Sequence, residues 1–382
     1  MKKINELLEK YITRNGFLLW TICLVTLHAL RSVGLGFSDV PIISMLALGF
    51  GLLKVIGTKY SKKEVLWMGI LLALCLHGFM VNRDKTLIMT LLVAFGIKNC
   101  DYMKVFKVCF WSRTVLIPLR MILSASGVLP NSYLELPKYD YNYGVTEFQI
   151  PTFGYSHPNF LFMGIISVGI LFILVYGEQR KLYGYLVLTA GFYFAYKLLH
   201  CRTGFFLWVA VLCMMIIYAI LKRFHLQKGF CYILSFSGIG FMTLSVIIAA
   251  IRAGEKNNVI NKLDFMFAGR FKWVADWINH AYLYPFARSP VMKYDNGFFY
   301  CLHNYGYVLT ILLLILACIA SVYATKKGKD YAVLALTASF GYMMGEMMPI
   351  SVAWNAVIVM IAALLFEREA QRIECSDNNT NA

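Results

Sequence analysis

GYSHPNFLFMG, residues 154–164, sets a polar cluster immediately ahead of an apolar run. Pro158 is tolerated in the first turn of a helix, where its missing N–H has no intrahelical partner to lose. The polar residue ahead of it can cap the remaining amides. The stretch predicts a helix from about residue 159 to 177, close to the roughly 20 residues that cross a bilayer's hydrocarbon core. His157 is then either the cap of that helix or part of a polar site at its mouth, and the local sequence supports both readings.

The rest of the chain has the same character. Of its 382 residues, 59% are hydrophobic and 15% charged, with a mean hydropathy of +0.64. A soluble domain averages about 45–50% apolar and about 25% charged, so this composition describes a polytopic membrane protein. The basic start MKKINELLEKYITRNG leads into a first span with no small-residue cleavage site, and no cleavable signal is expected. The ten cysteines are scattered singly, without CxxC or His-rich spacing. Neither a disulfide framework, nor a metal site, nor a cofactor is expected. A net charge of +16 raises the possibility of nucleic acid. However, the basic residues recur between apolar runs, as expected of Lys and Arg holding loops in the cytoplasm, and no nucleic-acid partner is expected.

Candidate spans fall near 16–37, 40–57, 65–82, 86–100, 103–125, 159–177, 182–200, 203–221, 230–251, 297–320, 331–349 and 351–366, twelve in all. The last two form one apolar stretch broken by Pro349. Basic loops at 59–63, 98–107, 178–181, 221–228 and 326–329, with the tail at 367–372, share one side when all twelve cross. Both termini are therefore expected in the cytoplasm. The expected fold is an all-α membrane domain over residues 1–366, followed by a cytoplasmic tail over 367–382. Polar irregular sequence collects outside, in the loop 126–158, the turn 200–204, the long loop 252–296 and the turn 349–351. Within the long loop, Phe267, Phe271, Val274, Ile278 and Tyr282 recur every three or four residues beside Trp273 and Trp277. This spacing predicts an interfacial helix.

Arginines inside spans are costly and face partners or wet cavities. Arg113 and Arg120 lie two turns apart on one helix, and Glu346 is the main acidic candidate to pair with the deeper Arg113. Arg202 opens a span at its outer end, where a helix N-terminus favours phosphate. Arg270 lies beside Lys272 in the predicted interfacial segment; arginine forks match phosphate oxygens, and anionic lipid headgroups are the alternative partner. Asp295 and Asn296 begin the tenth span, with His303 deeper, while Glu346 and Asn355 flank the last turn. Asp295 is either a base or an ordinary helix cap. GxxxxGK and GxGxxG are both absent, which argues against nucleotide hydrolysis.

GYSHPNF before a span, CRTGFF opening another, AGRFKW in the long loop, DNGFFYCLHNYGYV closing it, and Gly345-Glu346 with Asn355 near the end follow in order over residues 110–366. In these motifs the chain resembles the Wzy-type polysaccharide polymerases of the O-antigen polymerase and ligase superfamily. The resemblance implies a metal-independent glycosyltransferase of the bacterial cytoplasmic membrane. Such an enzyme joins oligosaccharide repeat units carried on undecaprenyl pyrophosphate at the outer face, and builds capsular, exo- or O-antigen polysaccharide. A flippase and a chain-length regulator of the same pathway are the implied partners. Arg202 and Arg270 match the family's outward arginines as pyrophosphate ligands, with Arg113, Arg120, Asn159 and Asn296 as further binding residues. His157 matches the His of the family's HPN motif and joins Asp295 and Glu346 as catalytic candidates. The related ligases carry His-Asn where this chain has Asp295-Asn296, which favours polymerase over ligase and leaves the base open between His157 and a carboxylate. A flippase or transporter of lipid-linked oligosaccharide is the alternative of a different class, although most of the charged residues gather at one end of the spans.

If this topology holds, cysteines introduced near Lys138 and Lys262 will react with an impermeant thiol reagent in intact cells. Cysteines at 59–63 and 326–329 will react only after permeabilisation. Labelling of the first pair from the cytoplasm alone would overturn it.

Overall fold

The computed structural model describes residues 2–36, 38–140, 144–179, 182–254, 262, 270–272, 274–275, 284–288, 295–346 and 350–380, with the backbone alone at 2–14, 136–148 and 372–380. Helices dominate: α1 Lys2–Ser32, α2 Pro41–Ile56, α3 Lys62–Asn82, α4 Thr86–Gly96, α5 Tyr102–Ala125, α6 Pro158–Tyr176, α7 Leu182–Leu199, α8 Arg202–Arg223, α9 Gln227–Leu234, α10 Ser237–Gly254, α11 Gly297–Lys326, α12 Asp330–Met343 and α13 Met360–Thr380. Seven helices among the described residues are long and apolar enough to cross a membrane, which makes this a helical membrane protein.

Not every expected element has the expected form. The loop 126–158 is not wholly irregular. It carries an antiparallel hairpin, β1 Tyr133–Asp140 with β2 Gly144–Pro151, in register from Tyr133 opposite Pro151 to Asp140 opposite Gly144. The other described elements are helices, as expected of an all-α membrane domain. The ninth span is two helices, α9 and α10, parted at Ser235–Phe236. Ser235 Oγ bonds back to Cys231 O at 2.8 Å and meets Thr325 Oγ1 at 3.2 Å, so polar side chains hold the break. Of the expected interfacial helix, residues 267, 273, 277, 278 and 282 lie outside the described residues. Its described members Phe271 and Val274 are buried.

Helix α6 is the central one: 83% of its span is buried, against 17–28% for α3, α5, α7, α8 and α10. It packs on α5, α7, α8 and α12. Small residues let the neighbours close in. Gly164 faces Ile117, and Gly169 faces Trp208 and Phe192, whose rings stack at 4.3 Å.

At the last two expected spans, 331–349 and 351–366, the described helices have other bounds, Asp330–Met343 and Met360–Thr380. Helix α12 has 14 residues, about 21 Å at 1.5 Å per residue, short of a ~30 Å hydrocarbon core. Helix α12 ends at Met343, residues 351–355 are outside helix, and a 3-10 turn, Ala356–Val359, precedes α13. Irregular backbone at such depth is tolerated only where the protein itself satisfies its polar groups. Two side chains do this. Thr90 Oγ1 donates to Ile350 O at 3.1 Å and accepts from Val352 N at 3.0 Å. Arg113, fully buried in α5, donates from Nη1 to Trp354 O at 2.8 Å and from Nη2 to Ala353 O.

A further break lies in α11. Gly306 has φ 84° and ψ 164° inside the helix. There the segment 284–286 inserts, with Tyr307 N donating to Tyr284 O at 3.0 Å and Val308 N to Pro285 O at 3.2 Å. A Cβ at Gly306 would stand 2.5 Å from Pro285 O and 2.6 Å from Phe286 Cα. Only glycine fits both that backbone conformation and that approach.

At the other end of the bundle, basic loops are tied down by acids. Glu64 caps α3 in a box with Ser61 and takes Lys98 at 2.5 Å, and Lys329 binds Glu367 at 2.6 Å.

Arg113→Leu will leave the carbonyls of residues 353 and 354 without donors. It should cost roughly 3 kcal/mol or more, the scale of two hydrogen bonds from a charged group. The check is thermal unfolding of the purified protein in detergent, with the exposed Arg83→Leu as control.

Candidate functional site

The polar residues singled out in the sequence converge from separate stretches onto one end of the bundle. His157 is the N-cap of α6, its Nδ1 accepting from Asn159 N at 3.1 Å, so the capping role is realised. The Asn159 side chain then reaches across to α8, where Cys201 Sγ lies 3.1 Å from its Oδ1. Cys201 is the N-cap of α8 and Arg202 its first residue. The α7–α8 turn is sharp because His200 takes a left-handed φ of 51°.

The third helix start is that of α11. Asn296 caps it, Oδ1 accepting from Phe298 N at 3.0 Å and Phe299 N at 3.2 Å. Its Nδ2 donates to Met344 O at 2.9 Å and to Ser245 Oγ at 3.2 Å. One buried amide thus ties α10, the start of α11 and the turn after α12 together. Gly345 in that turn lies against α8, where an added Cβ would come within 2.6 Å of Thr203. The starts of α6, α8 and α11 are therefore linked neighbours, and each contributes the partial positive charge and amide donors of a helix N-terminus.

Among these starts lies Arg270, 7% exposed. Its Nη2 donates to Glu346 Oε1 at 2.5 Å and its Nε to Asp295 Oδ2 at 3.2 Å. Burial works against the charge, but Glu346 and Asp295 outweigh it and hold the guanidinium above its ordinary value. The two acids differ in access: Glu346 is almost fully buried, whereas the Asp295 side chain is 61% exposed. Arg270 Nη1 is buried, with no acceptor among the described residues, and lies beside Gly345. A buried guanidinium N–H without a partner costs free energy, and an oxyanion would satisfy it. No group of three or more His, Cys, Asp or Glu able to hold a metal occurs among the described residues.

Two of the expected anion ligands are used elsewhere. Arg113 holds the 353–354 carbonyls and does not pair with Glu346. Arg120 donates from Nε to Phe153 O at 3.1 Å, with Gly154 pressed against its guanidinium. It thereby shapes the turn that delivers His157. Tyr155 completes that turn, donating to Ser32 O at 2.5 Å. Asn355 is buried beside Tyr342 and Trp354.

Sequence reasoning passed over Asp84. It caps the start of α4 through Thr86 N at 3.0 Å, and both Tyr300 and Tyr305 donate to its other oxygen. With Asn82 Nδ2 on Asn304 O at 2.6 Å, it clamps residues 297–305 of α11 to the α3–α4 hairpin. The tyrosines spaced five apart in DNGFFYCLHNYGYV were its only sequence signal.

Comparison of the chain with protein-family models, with curated proteins and with solved structures finds no match. Geometry and chemistry therefore define the site.

Asn296→Asp keeps an N-cap acceptor but loses the donor to Met344 O, and it places a second carboxylate beside Asp295. It should destabilise by about 1–3 kcal/mol through the acceptor left unpaired. Asn296→Ser loses the same donor but keeps a cap acceptor and buries no charge, so it should cost less. Thermal unfolding of the two variants side by side checks the order.

Proposed function

We propose that the chain is a membrane glycosyltransferase that polymerises undecaprenyl-pyrophosphate-linked oligosaccharide units at the outer face of the bacterial cytoplasmic membrane. One observation carries this reading: Arg270 is buried and charged between Asp295 and Glu346, with Nη1 still to be satisfied, among three helix N-termini. That arrangement suits a pyrophosphate oxygen, and Arg202 at the start of α8 supplies a second cation.

In the proposed reaction the acceptor sugar's hydroxyl oxygen attacks the anomeric carbon of the donor glycan. The bond from that carbon to the pyrophosphate oxygen breaks, and its electron pair leaves with the lipid pyrophosphate. Fixed donors on Arg270 and Arg202 stabilise this charge without having to reorganise. The hydroxyl proton passes to a base. Asp295 is the more accessible of the two carboxylates and is assigned that role, with His157 at the mouth of α6 as the alternative. Glu346 orients Arg270 and keeps it charged. The product would be a capsular, exo- or O-antigen polysaccharide, and a ligase-type transfer to another acceptor would use the same leaving group.

Arg270→Ala will abolish polymer while single repeat units accumulate on the lipid carrier. Arg270→Lys will rescue poorly, because a point charge cannot hold both carboxylates and the ligand. Probing the accumulated units with an impermeant glycosidase completes the test. Units exposed outside fit a transferase, whereas units protected inside the cell would overturn this reading in favour of a flippase or transporter.

A further inference from the structure

Helix α11 begins beside the Arg270 cluster at Gly297 and ends at Lys326, so its last turns lie at the far end of the bundle. There a cavity of about 270 Å³ opens between α11, the α9–α10 break and α13. Phe236, Ile319, Val322 and Tyr323 form its apolar wall, and Lys326 with Arg368 supplies two cations. The wall is fixed in place, because Phe236 follows Ser235, whose hydroxyl meets Thr325 Oγ1 of α11 at 3.2 Å.

The two cations are not committed to acids of the protein. Neither the Lys326 nor the Arg368 side chain forms an ion pair or a hydrogen bond with a described residue. The nearby carboxylates are each engaged by another donor. Glu367 takes Lys329 at 2.6 Å and Tyr102 at 3.0 Å. Glu369 lies 3.8 Å from Lys63, and Asp330 accepts from Tyr218 at 2.8 Å. Lys327 adds positive charge over the Tyr323 ring, 5.9 Å from its centroid. With Lys329 set against Glu367, positive charge is in surplus beside the cavity.

An apolar wall beside uncommitted cations suits a ligand that has both characters. Inorganic phosphate would use the cations alone and leave Phe236, 54% exposed, without a contact. A phospholipid would set its phosphate on the cations and a chain on the wall. The same face of α11 carries a track for that chain. Ile311, Ile315, Ile319, Val322 and Lys326 recur every three or four residues, and Ile311 and Ile315 are exposed. Lys326 thus stands at the headgroup end of an apolar stripe along a membrane-spanning helix. Basic pockets between spans bind anionic headgroups, and a zwitterionic headgroup gains less from surplus charge.

We propose that this cleft binds an anionic phospholipid, its phosphate between Lys326 and Arg368 and one acyl chain along Ile319, Ile315 and Ile311. The site lies at the opposite end from Arg270 and does not rest on the transferase reading.

The test titrates the purified full-length protein in nonionic detergent with phosphatidylglycerol, or with phosphatidylcholine of the same chains, and reads bound lipid by native mass spectrometry. Phosphatidylglycerol is expected to bind more tightly, with a preference that falls as salt rises. Lys326→Gln with Arg368→Gln should weaken its binding about tenfold or more, the scale of two cations near a headgroup. Lys326 is exposed, so Lys326→Gln alone leaves the fold intact and should weaken binding several-fold. Phe236→Ser should weaken it as well, an effect that a bare anion site would not show. Lys107→Gln, at an exposed lysine of α5 on the same end, reads general attraction to the basic surface and should change nothing. Comparison among the variants separates this cleft from any lipid held at Arg270. The proposal is overturned if the two lipids bind equally, or if Lys326→Gln and Arg368→Gln bind as tightly as the parent. Weakening by Lys107→Gln as large as that by Lys326→Gln would overturn it too, as would displacement of phosphatidylglycerol by equimolar inorganic phosphate.

Discussion

A main chain that leaves helix inside an apolar bundle must find partners for its N–H and C=O groups, because no water competes for them. In this protein the requirement falls on the stretch after α12, and Thr90 with Arg113 meets it. A buried arginine is costly on its own. Here its fork meets two successive carbonyls, and its guanidinium also lies 5.8 Å from the Trp354 ring centroid. The short helix α12 depends on this solution.

The ion cluster follows from that arrangement. The turn that ends α12 presents Met344 O to Asn296, Gly345 to Thr203, and Glu346 to Arg270. Removing either buried partner would leave an uncompensated charge, which costs more than the pair contributes. Such an arrangement is weak support for stability and better suited to holding a guanidinium at a fixed place. The clamp of Asp84 on Tyr300 and Tyr305 acts on the same object from the opposite side, fixing residues 297–305 and hence Asn296. The break at Gly306 leaves that segment directed by these contacts, independently of the long helix below it.

Much of this was legible in the residue order. Hydropathy placed a helix under each expected span up to the eighth, and the Pro158 start and His157 cap of α6 came from local chemistry alone. The gathering of His157, Asn159, Arg202, Arg270, Asp295, Asn296 and Glu346 at one end also followed, because charged residues sat at span ends of matching parity. These features depend on a few neighbouring residues and on transfer free energies, which a sequence displays directly.

The pairings were not legible. Arg113 and Glu346 looked like partners because both were charged residues in apolar surroundings. The tertiary structure gave Arg113 to carbonyls some 240 residues away and Glu346 to Arg270. The hairpin over 133–151 was hidden because Pro137 and a polar setting mask a two-stranded ribbon. The segment at Gly306 could not be foreseen, since its partner is the backbone of residues 284–286, and main-chain donors look alike in every sequence. By itself the sequence determined that this chain lies in a membrane, where its helices begin, and which end holds its polar groups. Only the tertiary structure decided which cation meets which oxygen, because that choice depends on distances between helices that no local pattern encodes.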